Sequence, residues 1–92
     1  MKNDGKFLET ANKLGSLVEE KQHAYGDSIT TCVDAFRILF PNGIPIERYD
    51  DALIMVRVWD KLMRIATSKN AFGESPWKDI AGYGILGAVK DE

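Results

Sequence analysis

One stretch of the sequence combines cations and a carboxylate at spacings that suit phosphate recognition. Arg57, Asp60, Lys61 and Arg64 fall within an arc of about 100° on a helix with 3.6 residues per turn, and we call them the charged wedge. Arginine offers a planar fork to two phosphate oxygens, and lysine adds a compact positive charge. Three cations with one carboxylate predict a locally positive site for a phosphate-bearing small molecule. A salt-bridge network between subunits is the structural alternative.

The helix predicted to carry the wedge, from about Arg48 to Ser68 and ending near Asn70, is otherwise apolar. Its predicted core-facing residues are Ile54, Met55, Val58, Trp59, Leu62, Ile65 and Ala66, while Leu53, Val56 and Met63 border the wedge. Charged residues in such a helix are expected to face a cleft or a subunit interface.

Metal-binding patterns are present but incomplete. Glu20 and His23 form a Glu-x-x-His pair, although di-iron bundles need two such motifs and this chain has one histidine. His23 can equally be a surface or capping residue. Carboxylates suited to magnesium are Glu19, Glu20, Asp27, Asp60, Glu74 and Asp79. Each of these acids also has an ordinary interpretation as a helix-face, helix-capping or ion-paired residue.

Two further groups of residues suit a nucleotide or a simple packing role. The aromatic residues that could stack on a base, or pack in a small core, are Tyr25, Trp59, Trp77 and Tyr83. Gly82, Gly84 and Gly87 lower helix propensity in the last predicted helix. They favour close helix packing, with a flat ligand against the bare backbone as the alternative.

Four helices are needed to position these residues, and no segment alternates as a strand would, so the sequence predicts an all-α, four-helix bundle-like domain over 1–92. The first helix is predicted from Phe7 to Tyr25 with Gly26 as its stop. Asp27 or Ser28 caps a second helix that reaches about Phe40. A turn over 41–45 precedes the wedge helix, and Ser75 with Pro76 begins a fourth helix that runs to about Val89.

Size and composition restrict the class of protein. At 92 residues a single core is marginal, so we expect a homo-oligomer, most simply a dimer. A net charge of −2 argues against a general binder of nucleic-acid polymers or membrane surfaces. Cys32 is expected in the core. The sequence has no signal-peptide or membrane-spanning pattern, which predicts a soluble cytoplasmic protein.

Three blocks of sequence together resemble a known family. They are Glu20-Lys21-x-x-x-Tyr25-Gly26-Asp27-Ser28, Arg57-x-x-Asp60-Lys61-x-x-Arg64, and Glu74-Ser75-x-x-x-Asp79-Ile80-Ala81-x-Tyr83-x-Ile85-Leu86. The resemblance, from about Leu17 to Leu86, is to bacteriophage proteins with a nucleotide modification associated domain. That family is similar to the all-α, MazG-like nucleoside triphosphate pyrophosphohydrolases, which form dimers or tetramers and use magnesium.

The resemblance implies roles for individual residues. Nucleotide binding would involve Lys21, Tyr25, Arg57, Lys61, Arg64 and Tyr83. The implied metal ligands are Glu20, Asp60 and Asp79, with Asp60 and Asp79 also catalytic. The chain departs from the hydrolase pattern at His23, where those enzymes have glutamate, and in the spacing of five between Glu74 and Asp79, where they have three.

Three functions are compatible with these observations. The first is a nucleotide-binding protein with an interhelical or intersubunit pocket, acting as a magnesium-dependent (d)NTP pyrophosphohydrolase if Glu20, Asp60 and Asp79 converge. The second is a non-catalytic protein of phage type that sequesters a linear or cyclic nucleotide signal of host antiviral defence. The third is a structural bundle in which the wedge is an internal salt-bridge network.

Overall fold

The computed structural model describes residues 5–68, 73 and 75–92, with the backbone alone described for Ala24, Tyr25 and Ser68. The described residues form α1 (Lys6–Tyr25), α2 (Ser28–Leu39), a 3₁₀ helix (Ile46–Arg48), α3 (Tyr49–Ser68) and α4 (Pro76–Lys90), and none lies in a strand. The predicted all-α class with four helices is therefore confirmed. The predicted end of the wedge helix near Asn70 falls outside the described residues.

The break between α1 and α2 follows from two adjacent residues. Gly26 has φ 78° and ψ −176°, a conformation accessible essentially to glycine alone, and its N–H donates to the Gln22 carbonyl. The Asp27 side chain then accepts a hydrogen bond from the Thr30 N–H at 3.1 Å. This N-cap begins α2 one residue later, as the sequence predicted.

The connection from α2 to α3 contains a turn and a short helix. Gly43, with φ 93°, donates its N–H to the Phe40 carbonyl within the predicted turn. Pro45 is extended and precedes the 3₁₀ helix Ile46–Arg48, so Arg48 belongs to this element and α3 begins at Tyr49. The predicted turn over 41–45 is present and the wedge helix begins one residue after its predicted start, whereas the 3₁₀ helix between them was not predicted.

The fourth helix begins at Pro76, as predicted, with Ser75 in the N-cap position but without a side-chain capping bond. A Cβ added at Gly87 would lie 3.9 Å from Ile54 Cδ1, an ordinary contact, whereas Gly82 and Gly84 have no described atom within 4 Å of such a Cβ. Close helix packing within the chain therefore does not explain these two glycines.

The centre of the fold is α3, which contacts each of the other helices. Few described side chains are buried: Cys32, Ala52 and Pro76. The prediction for Cys32 is confirmed. The predicted core-facing surface of α3 is mostly only half-buried, and Leu62 and Ala66 are exposed because the described helices leave them partly uncovered.

The chain is extended for its size. Its radius of gyration is 17.0 Å and its extents are 53 × 30 × 25 Å, against a radius of about 12 Å for a compact domain of this length. Among the described residues, no helix has the length and apolar character needed to cross a membrane.

Candidate functional site

The charged wedge lies on α3 with its members in different environments. Arg57 is exposed and makes no ion pair with a described residue. The side chains of Lys61 and Arg64 retain only 14% and 12% of their exposure, and the side chain of Asp60 is about one-third exposed. The wedge is therefore part cleft and part open surface, which agrees only partly with the expectation that it faces away from water.

A residue of α4 completes the arrangement. Asp79 Oδ2 lies 3.2 Å from Lys61 Nζ, and the same ammonium lies 3.9 Å from Asp60 Oδ2. Arg64 Nε is 3.4 Å from Asp60 Oδ2, one turn away on α3. We call Asp60, Lys61, Arg64 and Asp79 the α3–α4 cluster.

The antiparallel packing of α4 on α3 produces this cluster. Asp79 lies in the first turn of α4 and faces Lys61. At the other end of the pair of helices, Lys90 lies 3.7 Å from Asp50. The sequence contained one signal for this placement, because the Ser75-Pro76 start fixes Asp79 within the first helical turn, where a carboxylate is also favoured by the helix dipole.

The three sequence blocks meet at one end of α3 within a single chain. The first block reaches α3 through Gly26, where an added Cβ would lie 3.0 Å from Met63 Cε and 3.2 Å from Thr67 Cγ2. The third block reaches it through Asp79, which pairs with Lys61 of the second block. Glu74 of the third block lies outside the described residues.

The local charge differs from the sequence expectation. Within the cluster two carboxylates face two cations, so the formal charges of the four side chains balance. Asp79, which arrives from α4, reduces the predicted positive charge of the wedge from a net +2 to a net +1. Exposed Arg57 supplies the surplus, one turn before Lys61 on the same helix face.

The three acidic residues implied as metal ligands, Glu20, Asp60 and Asp79, do not form one group in the described part of the chain. There, no three His, Cys, Asp or Glu side chains lie close enough together to hold a metal ion. Glu20 and His23 are exposed on α1. The Lys61 ammonium already supplies positive charge to both Asp60 and Asp79, so these two carboxylates fit a salt-bridge network better than a divalent cation.

The remaining candidates serve several roles. The Trp59 indole donates to Thr31 Oγ1 at 2.9 Å, which ties α3 to α2 and makes Trp59 a packing residue. Trp77 is exposed and Tyr83 is half-buried. Lys21 is exposed near the end of α1, and Tyr25 is its last residue, with a side chain outside the described set.

Two residues have shifted acidity. Hydrogen bonds from the Thr30 side chain, and secondarily from its backbone N–H, lower the pKa of Asp27, which suits its use as an N-cap. Burial raises the pKa of the Cys32 thiol and so lowers its thiolate fraction. Both shifts are consistent with structural roles.

Comparisons with protein-family models, with curated proteins and with solved structures found no match to this chain. The resemblance to nucleotide-handling phage proteins thus rests on the residues of the three blocks.

Proposed function

We propose that this protein binds a nucleotide through its phosphate groups along α3 from Arg57 to Arg64, toward the C-terminal end of that helix, where the α3–α4 cluster lies. The observation that carries the proposal is the meeting of the three family-like blocks at this end within one chain. Exposed Arg57 is the entry point for an anion, and Lys61 lies one turn further along the same face.

The ion pairs prepare the site for an anion. Lys61 has three N–H donors and is already oriented by Asp60 and Asp79, so little side-chain entropy remains to be lost when a phosphate oxygen approaches. Arg57 can add a two-pronged contact to the same phosphate. Trp77 and Tyr83 are the aromatic residues that would stack on the base of the nucleotide.

Binding without turnover is the form of the proposal that we favour. A divalent cation would have to displace the Lys61 ammonium from both carboxylates, and Glu20 does not join them in a described metal-holding group. The protein would then act as a cytoplasmic homo-oligomer that sequesters a linear or cyclic nucleotide, such as a signal of host antiviral defence.

Magnesium-dependent release of pyrophosphate is the second candidate. The observation that favours it is that Asp60 and Asp79 approach the same ammonium, so the two implied catalytic carboxylates lie on one small surface. In this candidate Glu20 would complete the metal ligands, and Lys21, Tyr25 and Arg64 would help to hold the nucleotide.

One experiment separates these candidates. The purified full-length chain is incubated with a panel of linear and cyclic nucleotides, with magnesium or with EDTA, and the free pool is chromatographed before and after heat denaturation. We expect one nucleotide to be depleted before denaturation and recovered intact afterwards, with EDTA making no difference. Monophosphate and pyrophosphate in the magnesium sample would establish the hydrolase, and an unchanged pool for every nucleotide would overturn both candidates.

A matched pair of variants locates the site. Arg57→Gln should weaken binding about tenfold to a hundredfold, because it removes charged hydrogen bonds to phosphate. Arg48→Gln removes another exposed arginine, which lies just before α3 and pairs with Asp51, and should leave affinity unchanged. Equal losses in the two variants would indicate a general charge effect and would contradict the assigned site.

A further inference from the structure

The first helix has an apolar face that the described residues of the chain leave exposed. Every side chain from Lys6 to His23 is exposed. Phe7, Ala11, Leu14 and Val18 are spaced by four, three and four residues, which aligns them on one face of α1. We call these four residues the α1 stripe. Helices in proteins gain most of their stability by burying such a face, so a helix whose side chains from Lys6 to His23 are all exposed is incomplete.

A second uncovered apolar surface lies between α2 and α3. Two cavities of about 280 and 220 Å³ adjoin there and share Phe36 and Val56. Their apolar walls include Ile29 and Val33 of α2 and Leu53 of α3, all three of them exposed. We call Ile29, Val33, Phe36, Leu53 and Val56 the α2–α3 groove. Its concave shape suits the apolar face of a helix.

The amount of exposed surface indicates how large the missing contact is. The accessible surface of the chain is 7231 Å², roughly 1,800 Å² more than a compact monomer of this mass exposes. A standard interface covers about 800 Å² on each partner, and obligate dimers cover more. The excess is therefore of the size that a permanent dimer buries.

We propose that two copies of this chain form a two-fold dimer in which the α1 stripe of each copy lies in the α2–α3 groove of the other. The chain carries both halves of this contact, a ridge and a groove, and a symmetric pair satisfies both at once. The proposal specifies the interface of the oligomer and stands whether or not a nucleotide binds.

Two substitutions of the same residue type test the groove. Ile29 and Ile38 are 79% and 80% exposed on the same helix, but nine residues apart they point in opposite directions. The wild-type mass in solution, measured by light scattering after size-exclusion chromatography, should be twice that of the chain. Ile29→Glu should halve it and Ile38→Glu should not. A wild-type mass equal to one chain, or the same mass for both variants, would overturn the proposal.

A photo-cross-linker tests which surface receives α1. Benzoylphenylalanine replaces Leu14, light and ¹⁵N-labelled chains are mixed, and the cross-linked peptides are identified by mass spectrometry. We expect mixed light–heavy products that join α1 to peptides containing Ile29 or Leu53. Mixed products that join α1 to α1 would overturn the proposed position of α1 in the partner's groove. Cross-links between α1 and the groove that form only within a single chain would also overturn it, because they would show that α1 folds onto its own groove. Because this experiment uses no nucleotide, its failure is distinguishable from failure of the proposed function.

Discussion

The two sides of α3 are held by different kinds of contact. Toward α4 the described polar contacts are ion pairs, Lys61 with Asp79 and Lys90 with Asp50. Toward α2 the contact is apolar, with a single described hydrogen bond from Trp59 to Thr31. The α4 side thus matches its charges within one chain, whereas the α2 side leaves an apolar groove. The proposed binding site and the proposed subunit contact are therefore expected to depend on different kinds of interaction along one helix.

The largest effect on stability is expected from Gly26→Ala, at the break between α1 and α2. Its backbone conformation costs other residues about 1–3 kcal/mol, and the new Cβ would crowd Met63 and Thr67. We expect the free energy of unfolding, measured with urea, to fall by about that amount.

Gly82→Ala on the α4 side is the control for Gly26→Ala. Gly82 is helical and open, so alanine should stabilise the protein by about 0.5–1 kcal/mol. A loss of stability at Gly82 would mean that its bare backbone packs against another molecule, as the flat-ligand alternative requires, and the contrast between the two sides would fail.

A smaller effect is expected from Thr31→Val, which keeps the shape of the side chain but leaves the Trp59 indole N–H without its acceptor. The cost should be about 1 kcal/mol, measured by urea unfolding. Thr31 also donates to the Asp27 carbonyl, so a double-mutant cycle with Trp59→Phe isolates the bond between the two helices. Additive losses in that cycle would argue that the bond does not hold α2 on α3.

The smallest effect is expected from Lys90→Ala on the α4 side. The pair with Asp50 is exposed at both ends, so its loss should change the free energy of unfolding by less than about 0.5 kcal/mol. Any difference should vanish at high salt, because exposed charges are screened. A loss well above this limit that persists in salt would show that the α4 side depends on more than its ion pairs.

Local sequence signals predicted the helices well. Asp27 was expected to cap α2, and it accepts the Thr30 N–H. Gly26 was expected to end α1, and its positive φ explains why a glycine is needed. The 3₁₀ helix after Pro45 was missed because three residues give no periodicity to detect.

Tertiary arrangement limited prediction of the site. Asp60, Lys61 and Arg64 share a helix face, so their proximity follows from spacing alone. The pairing of Lys61 with Asp79 depends on how α4 packs along α3, which no local pattern encodes. The same limit explains why Leu62 was assigned to a core: its helix face is apolar, but the described elements of the chain cover it only in part.

The two tryptophans are intrinsic fluorophores, one on the α2 side of α3 and one on the α4 side. The half-buried indole of Trp59 is hydrogen-bonded on the α2 side, whereas Trp77 is exposed near the start of α4. Their emission should differ in wavelength and in quenching by acrylamide. Docking of an aromatic base near α4 would alter the accessible component, while loosening of α2 from α3 would alter the shielded one, so two events can be followed in one unlabelled sample.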